Sequence, residues 1–558
     1  MIAFLFLCCY LFLTTVSFGL LTTKLAGRLW HDNDSTTLFP ADILSIIGLV
    51  SIGTLLNYYS LLFKTGGIVP HGIIMAVAGM TIVVFRSDWK KLIQVVGGKN
   101  EFLKNALLIL PVIISIMFYA VQWARVYDTG LYHAQSIQWI EKYRCIPGLG
   151  NLHFRLAFNS SFFVLSALYG FSFLTGQTFY SLNPYLCMLF AVSILMNIMK
   201  SISSGDRHLV FVYLFIFIAY YYLLEAYISS PSPDLISAIM VFYLFLLVIR
   251  ERGSFFRVDT LMAIALISSF LLTIKLSQAP VLLFILCLFL NKELRLTQRF
   301  LMGLLVPIVI VLPWMIRNVV LSGYLVYPLP GFDLFSFDWK IPADSVMAEK
   351  NWIRSWAIMP GENPNEVLTL SLGAWFPAWF YRHSGFYRFS LMVCFFSPLI
   401  VAAAWIKNRL SKELMMFWFV CFAGFVFWFV SAPDIRFAYG FILFCAAIPL
   451  SAFTDPFRNV RQKALSWSIL VFIVLFGLVH AIAPQMRTSP AKFAEHVWKP
   501  EKLPEVRVVE KKARNLFVSV PVEGVKCYNS AIPCTPYFNP DLEMRENRVE
   551  DGFRIASQ

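Results

Sequence analysis

Apolar runs separated by short basic connections dominate this sequence. Runs such as 2–21, 43–63, 182–199 and 389–406 have about the 20 residues that a helix needs to cross a bilayer's hydrocarbon core. Of the 558 residues, 58% are hydrophobic and only 14% charged. A soluble body of this length could not hide that much apolar surface, so a bilayer must be the solvent. The expected fold is an all-α polytopic membrane protein.

Fourteen runs read as spans: 2–21, 43–63, 68–85, 106–123, 182–199, 209–226, 235–249, 261–274, 281–290, 300–320, 389–406, 414–430, 437–450 and 466–482. Basic residues place the cytoplasmic connections. Arg86, Lys90, Lys91, Lys99 and Lys104 mark one; Arg250, Arg252 and Arg257 another. Lys292, Arg295 and Arg299 mark a third, Lys407, Arg409 and Lys412 a fourth, and Arg458, Arg461 and Lys463 a fifth. Parity then puts 124–180 outside, with 162–173 as a segment that does not fully cross, and both termini outside. No basic residue precedes the first run, whereas Lys24 and Arg28 follow it. That pattern argues against a cleaved signal peptide. Three regions result: an N-terminal three-span extension (1–105), a membrane core (106–484) with external loops 124–180 and 321–387, and a small external tail domain (485–558).

The net charge is +14, but the basic residues are scattered. That fits membrane lipid headgroups better than nucleic acid. Most of the ten cysteines, Cys8 and Cys421 among them, lie in apolar runs as small core residues. Cys527 and Cys534 instead flank the polar YNSAIP, and an oxidising compartment would allow them to bridge.

The chemistry concentrates in polar segments at the expected external ends of the spans. Around Tyr127 to Ser161 the chain carries Arg125, Asp128, His133, Glu141, Lys142, Arg144, His153 and Arg155. A helix over 132–143 would align Asp128, Tyr132, Gln135 and Trp139 at i, i+4, i+7 and i+11 on one face at the membrane surface. Pro147, Gly148 and Gly150 then turn the chain. Further on come Asp234 in PSPD, Lys275 at the end of an outward run, Arg317 with Asn318, and Asp434 with Arg436 in PDIRF. Ionisable groups at membrane depth are costly and are usually kept for function or pairing. Each also has a structural role open to it: Asp128 and Asp234 as helix caps, Lys275 and Arg317 as snorkelling cations, Asp434 and Arg436 as a mutual pair. His133 and His153 lack the HExxH or CxxC spacing of a zinc site. The loop 321–387 carries Trp339, Trp352, Trp356, Trp375 and Trp379, an aromatic belt or a lid over a sugar or lipid head.

Three segments carry a resemblance: YDTGLYH at 127–133, PWMIRNVVLSGYLVYP at 313–328 and SAPDIRFAYG at 431–440. Together they resemble the GT-C class of membrane glycosyltransferases over about 106–482. The resemblance implies a GT-C-like bundle of transmembrane helices with external loop helices, and an inverting transfer from a polyprenyl-phosphate-linked sugar to a lipid-linked, glycan or protein acceptor. It implies Asp128 as the catalytic base, with Lys275, Arg317 and Arg436 on the donor phosphate. Tyr132, His133, Gln135, Arg155, Asp234 and Asp434 would then line the acceptor or sugar pocket. A bacterial inner membrane, with the active site on the periplasmic side, fits such chemistry. Gly130 stands where many members carry a second acidic residue, so the divalent metal that the resemblance leaves open has no second acid to support it, and no other cofactor is assigned. A polysaccharide polymerase or O-antigen ligase, a lipid-linked glycan flippase and a non-enzymatic scaffold are the rival readings.

Overall fold

The structure, a computed structural model, describes residues 1–29, 38–94, 99–252, 257–290, 296–454, 461–486, 490–498 and 500–556. Lys292, Arg295 and Arg458 of the basic connections lie outside the described residues. Helix dominates, and each of the fourteen apolar runs is helical for most of its length. Among the described residues, seven helices are long and apolar enough to cross a membrane: Ile2–Arg28, Ala41–Leu62, Leu182–Ser204, Pro233–Arg250, Gly303–Ser322, Gly385–Ile406 and Lys412–Ser431. Ile68–Val84 and Arg86–Gln94 meet at a bend of 84° and together make an eighth candidate. The other apolar helices, such as Val258–Ile274 and Tyr439–Ser451, are shorter. These lengths and compositions mark an α-helical membrane protein.

One continuous apolar core joins the helices from Phe4 to Ala481. The flanks expose large side chains such as Phe6, Val83, Leu399, Ile406 and Phe472, the pattern of helices that meet lipid rather than water. Ser161–Leu168 is a helix of eight residues, all buried. At about 1.5 Å per residue it is far too short to cross. Asn57 Nδ2 donates to Ser161 Oγ at 2.8 Å and Ser161 Oγ to Thr273 Oγ1 at 2.8 Å, pinning its start against two longer helices.

The polar segment after the helix Lys99–Ala120 differs from a surface-lying helix. Thr129–His133 is a π-helical turn, followed by the α-helix Ala134–Lys142. The wider turn breaks the i, i+4, i+7 register. Asp128 consequently faces the bundle, while Gln135 and Trp139 face the tail. That helix is sandwiched, with Ala134 to Trp139 all buried.

The tail holds two antiparallel strand pairs, Val508–Lys512 with Phe517–Pro521 and Leu542–Met544 with Phe553–Ile555. It shares a core with the loops beneath it: Trp139, Ile146, Leu149 and Leu321 pack with Leu516, Val518, Leu542 and Phe553. Gly148 has φ +64, and a Cβ there would meet the Phe553 carbonyl oxygen at 2.1 Å, so this turn is closed to other residues. Cys527 and Cys534 are disulfide-bonded.

Candidate functional site

Four separate helix ends meet around Asp128. The first is the π-helical turn that Asp128 precedes. The second is the start of Pro233–Arg250, where Ser232 caps the helix and its hydroxyl donates to Asp234 Oδ2 at 3.1 Å. Pro233 suits that first helical position because its missing N–H is not needed there. Asn183 fixes the approach by donating to the carbonyls of Ser230 at 2.7 Å and Ser232 at 3.1 Å.

The third is the break at Lys275. Val258–Ile274 ends there, Lys275 is extended, and a 3₁₀ stretch, Leu276–Ile285, follows with Pro280 inside it. The fourth is the turn Ile435–Phe437, whose N–H of Arg436 is capped by Asp434. This turn is clamped from both sides. The indoles of Trp379 and Trp428 donate to the carbonyls of Pro433 and Asp434, each at 2.7 Å. Ser277 and Gln278 donate to the carbonyl of Phe437 at 2.7 and 3.0 Å.

These ends deliver a charge network. Arg436 Nη1 donates to Asp128 Oδ2 at 2.7 Å, and its Nε to Asp434 Oδ2 at 3.0 Å. Arg155 Nη1 lies 3.4 Å from Asp128 Oδ1, and its Nε 3.3 Å from Glu349 Oε1. Lys275 Nζ pairs with Asp234 and sits 3.9 Å from the centre of the Phe437 ring, a cation–π contact. Burial pushes the Asp128 carboxyl up, but the guanidinium groups of Arg436 and Arg155 pull harder, and the net direction is down. Burial, reinforced by the Asp128 charge, holds Glu349 above the usual carboxylate range despite Arg155. Burial lowers the His133 imidazole to about 4, so it is neutral at pH 7.

Not every expected residue joins this network. Arg317 is buried at the same end of the bundle but is held locally, with Nε donating to Asn159 Oδ1 at 3.0 Å and Nη1 to Ser60 Oγ at 2.6 Å. Gln135 binds the tail, donating to the carbonyls of Tyr528 at 3.0 Å and Ser530 at 2.9 Å. His153 lies against Tyr537 with ring centres 5.5 Å apart. Tyr132 is ringed by Phe158, Phe163 and His133, with Arg155 5.9 Å above its face.

Glu349 is the member that sequence reasoning missed. It lies on the loop helix Ala343–Ile358 beside Lys350 and reads as a solvated charge. Its signal was the i, i+3 spacing from Val346, a buried position, which puts the two on one face.

The absent second acid at Gly130 has a steric reason. A Cβ at Gly130 would lie 2.7 Å from the Tyr528 ring, and the Tyr528 N–H donates to the Gly130 carbonyl at 2.9 Å. The four carboxylates of the site are each turned to a cation, and among the described residues no three His, Cys, Asp or Glu side chains gather as metal ligands. No step is routed through a divalent cation.

Outside the network, Glu141 is buried between loops and accepts from the Thr178 hydroxyl at 2.9 and 3.0 Å. Burial raises its carboxyl to about 7. The folded state therefore holds this proton between the ordinary carboxylate pKa and about 7 while the unfolded chain does not. Stability from this group is full below that window and is lost as pH rises through it, on the order of 3 kcal/mol in all. Glu141→Gln removes the dependence, so the variant melts progressively higher than the parent as pH is raised from 5 to 8. Parallel melting curves at both pH values would refute the assignment.

Fold and site together define an α-helical membrane protein in which Asp128, Asp234, Glu349 and Asp434 form a network with Arg155, Lys275 and Arg436 at one end of the bundle. The chain belongs to the family described as Domain of unknown function (DUF8201), whose model matches residues 1–443. No curated protein and no solved structure matches it. The matched region contains Asp128, Asp234, Lys275, Arg317, Glu349 and Arg436 and stops short of the tail.

Proposed function

We propose that this protein is an inverting glycosyltransferase of the GT-C type, taking a sugar from a polyprenyl-phosphate donor to a lipid-linked, glycan or protein acceptor. In this reading all fourteen helical runs cross the membrane, and the site faces the external side of a bacterial inner membrane. The observation that carries the proposal is the Asp128–Arg436 pair, with Lys275 and Arg155 close by, at the end of an apolar bundle. A lipid-borne phosphate arrives at that depth from the bilayer side.

The three cations and four carboxylates give a formal sum of 3 − 4 = −1, so a phosphate has to replace a carboxylate as partner. Arg436 suits the exchange because a guanidinium forks two directed hydrogen bonds to phosphate oxygens. Losing Arg436 to the donor raises the basicity of Asp128. Asp128 then takes the acceptor hydroxyl's proton as the oxygen attacks the anomeric carbon. The bond from that carbon to the phosphate oxygen breaks, and polyprenyl phosphate leaves with the electron pair, held by Arg436 and Lys275. Glu349, through Arg155, positions the acceptor side.

The test is release of polyprenyl phosphate from polyprenyl-phosphate sugars by the purified chain in nanodiscs, together with a comparison of envelope glycans in cells with and without it. Donor cleavage and a missing glycan support the reading. Polymer growth without donor cleavage, or lipid-linked glycan crossing vesicles with no new bond, would replace it with the polymerase or flippase reading.

A further inference from the structure

We infer that the C-terminal tail builds an outer subsite for an anionic carbohydrate, formed by Tyr127, Lys526 and Tyr537 beside Asp128. The inference rests on the transferase reading and adds the class of acceptor.

Tyr127 and Tyr537 are 51% and 57% exposed, although both adjoin the buried network. Tyr127 precedes Asp128 in the chain, and Tyr537 packs on His153 with ring centres 5.5 Å apart, within the electrostatic reach of Arg155 and Glu349. The Lys526 ammonium lies 4.5 Å from the centre of the Tyr127 ring and 5.8 Å from that of Tyr528. Among the described residues no carboxylate pairs with it. A cation held by two aromatic faces, with no acid of its own, is set to receive an anion. Exposed tyrosine faces offer rigid, amphipathic contact area that suits the C–H face of a sugar ring.

The platform is fixed relative to Asp128. Gln135 ties down both Tyr528 and Ser530, the Tyr528 N–H binds Gly130, and the Cys527–Cys534 bridge closes the segment. The tail lies beyond the region that the family model matches, so the subsite adds selectivity to a catalytic end that the family model covers.

The test uses the full chain in nanodiscs without donor, so that nothing turns over. The probes are trigalacturonate, a mannotriose bearing a terminal 6-phosphate and neutral maltotriose, followed by saturation-transfer NMR. The two anionic probes should bind roughly tenfold tighter than maltotriose, and Lys526→Gln should abolish that preference. Tyr537→Ala should weaken all three, with melting curves like the parent's. Carboxylate against phosphate selectivity identifies which anion the subsite takes. Equal binding of maltotriose, no binding of either anionic probe, or an anionic preference that survives Lys526→Gln overturns the inference. Such a result with donor cleavage intact leaves the transferase reading standing; absent donor cleavage with intact anionic preference removes only the latter.

Discussion

Under the proposed transferase function, Asp128→Asn should lower sugar transfer by about 10²–10⁴-fold, the range for losing a positioned general base, while the protein still inserts and folds. The amide keeps the shape of the carboxylate, and Arg436 retains Asp434 as a partner at 3.0 Å. Arg155 likewise retains Glu349. No buried cation is therefore left alone, and the melting temperature should move only modestly. The Asp128 carboxyl is held below its ordinary value, so its stabilising contribution is complete above the unfolded carboxylate pKa and fades as pH falls through the folded one. The small melting difference between Asp128→Asn and the parent should shrink in acid. Transfer at near-parental rate by a well-folded Asp128→Asn protein would remove Asp128 from the chemistry.

Arg436→Met is expected to cost stability as well as transfer. The guanidinium holds two carboxylates at once, Asp128 and Asp434, and its own pKa is raised by them against the cost of burial. Removing it leaves Asp434 without a cation and Asp128 with only the longer contact to Arg155 at 3.4 Å. Breaking a fully buried pair costs about 3–5 kcal/mol; with 23% of the Arg436 side chain exposed, about 2–4 kcal/mol is the appropriate expectation. The double variant Asp128→Asn with Arg436→Met should regain part of that loss, because the under-compensated Asp128 charge is gone while Asp434 still lacks its cation, yet remain inactive. Thermal unfolding of the four proteins in the same nanodiscs measures the cycle. If both single changes are additive in stability, the Asp128–Arg436 pair is not the joint that the fold uses, and the phosphate exchange through Arg436 fails with it.

Asp128, Asp234, Lys275, Asp434 and Arg436 could be singled out because each interrupts or ends an apolar run, where a charge is conspicuous. Glu349 and Lys526 could not, since each sits in a polar segment where charges are ordinary. Arg317 shows the reverse: it is as conspicuous as Arg436, but Ser60 and Asn159 satisfy it. The docking of the tail through Gln135, Gly130 and Gly148 was hidden for another reason. Its strands are three to five residues long, too short for alternation to stand out, and their partners lie hundreds of positions earlier.

By itself the order of residues determined where helices form and that lipid surrounds them, because both depend on local length and apolarity, which neighbours in the chain settle among themselves. It also marked most of the charged residues of the network, though not Glu349, at the ends of those helices. Which acid meets which cation was decided only by the folded bundle: Asp128 and Arg436 are 308 positions apart, and Arg155 reaches Glu349 from a different loop. Such partners are chosen by how helix ends converge and by the need of every dehydrated charge for a counter-charge, a condition that acts through space and leaves no local pattern in the chain.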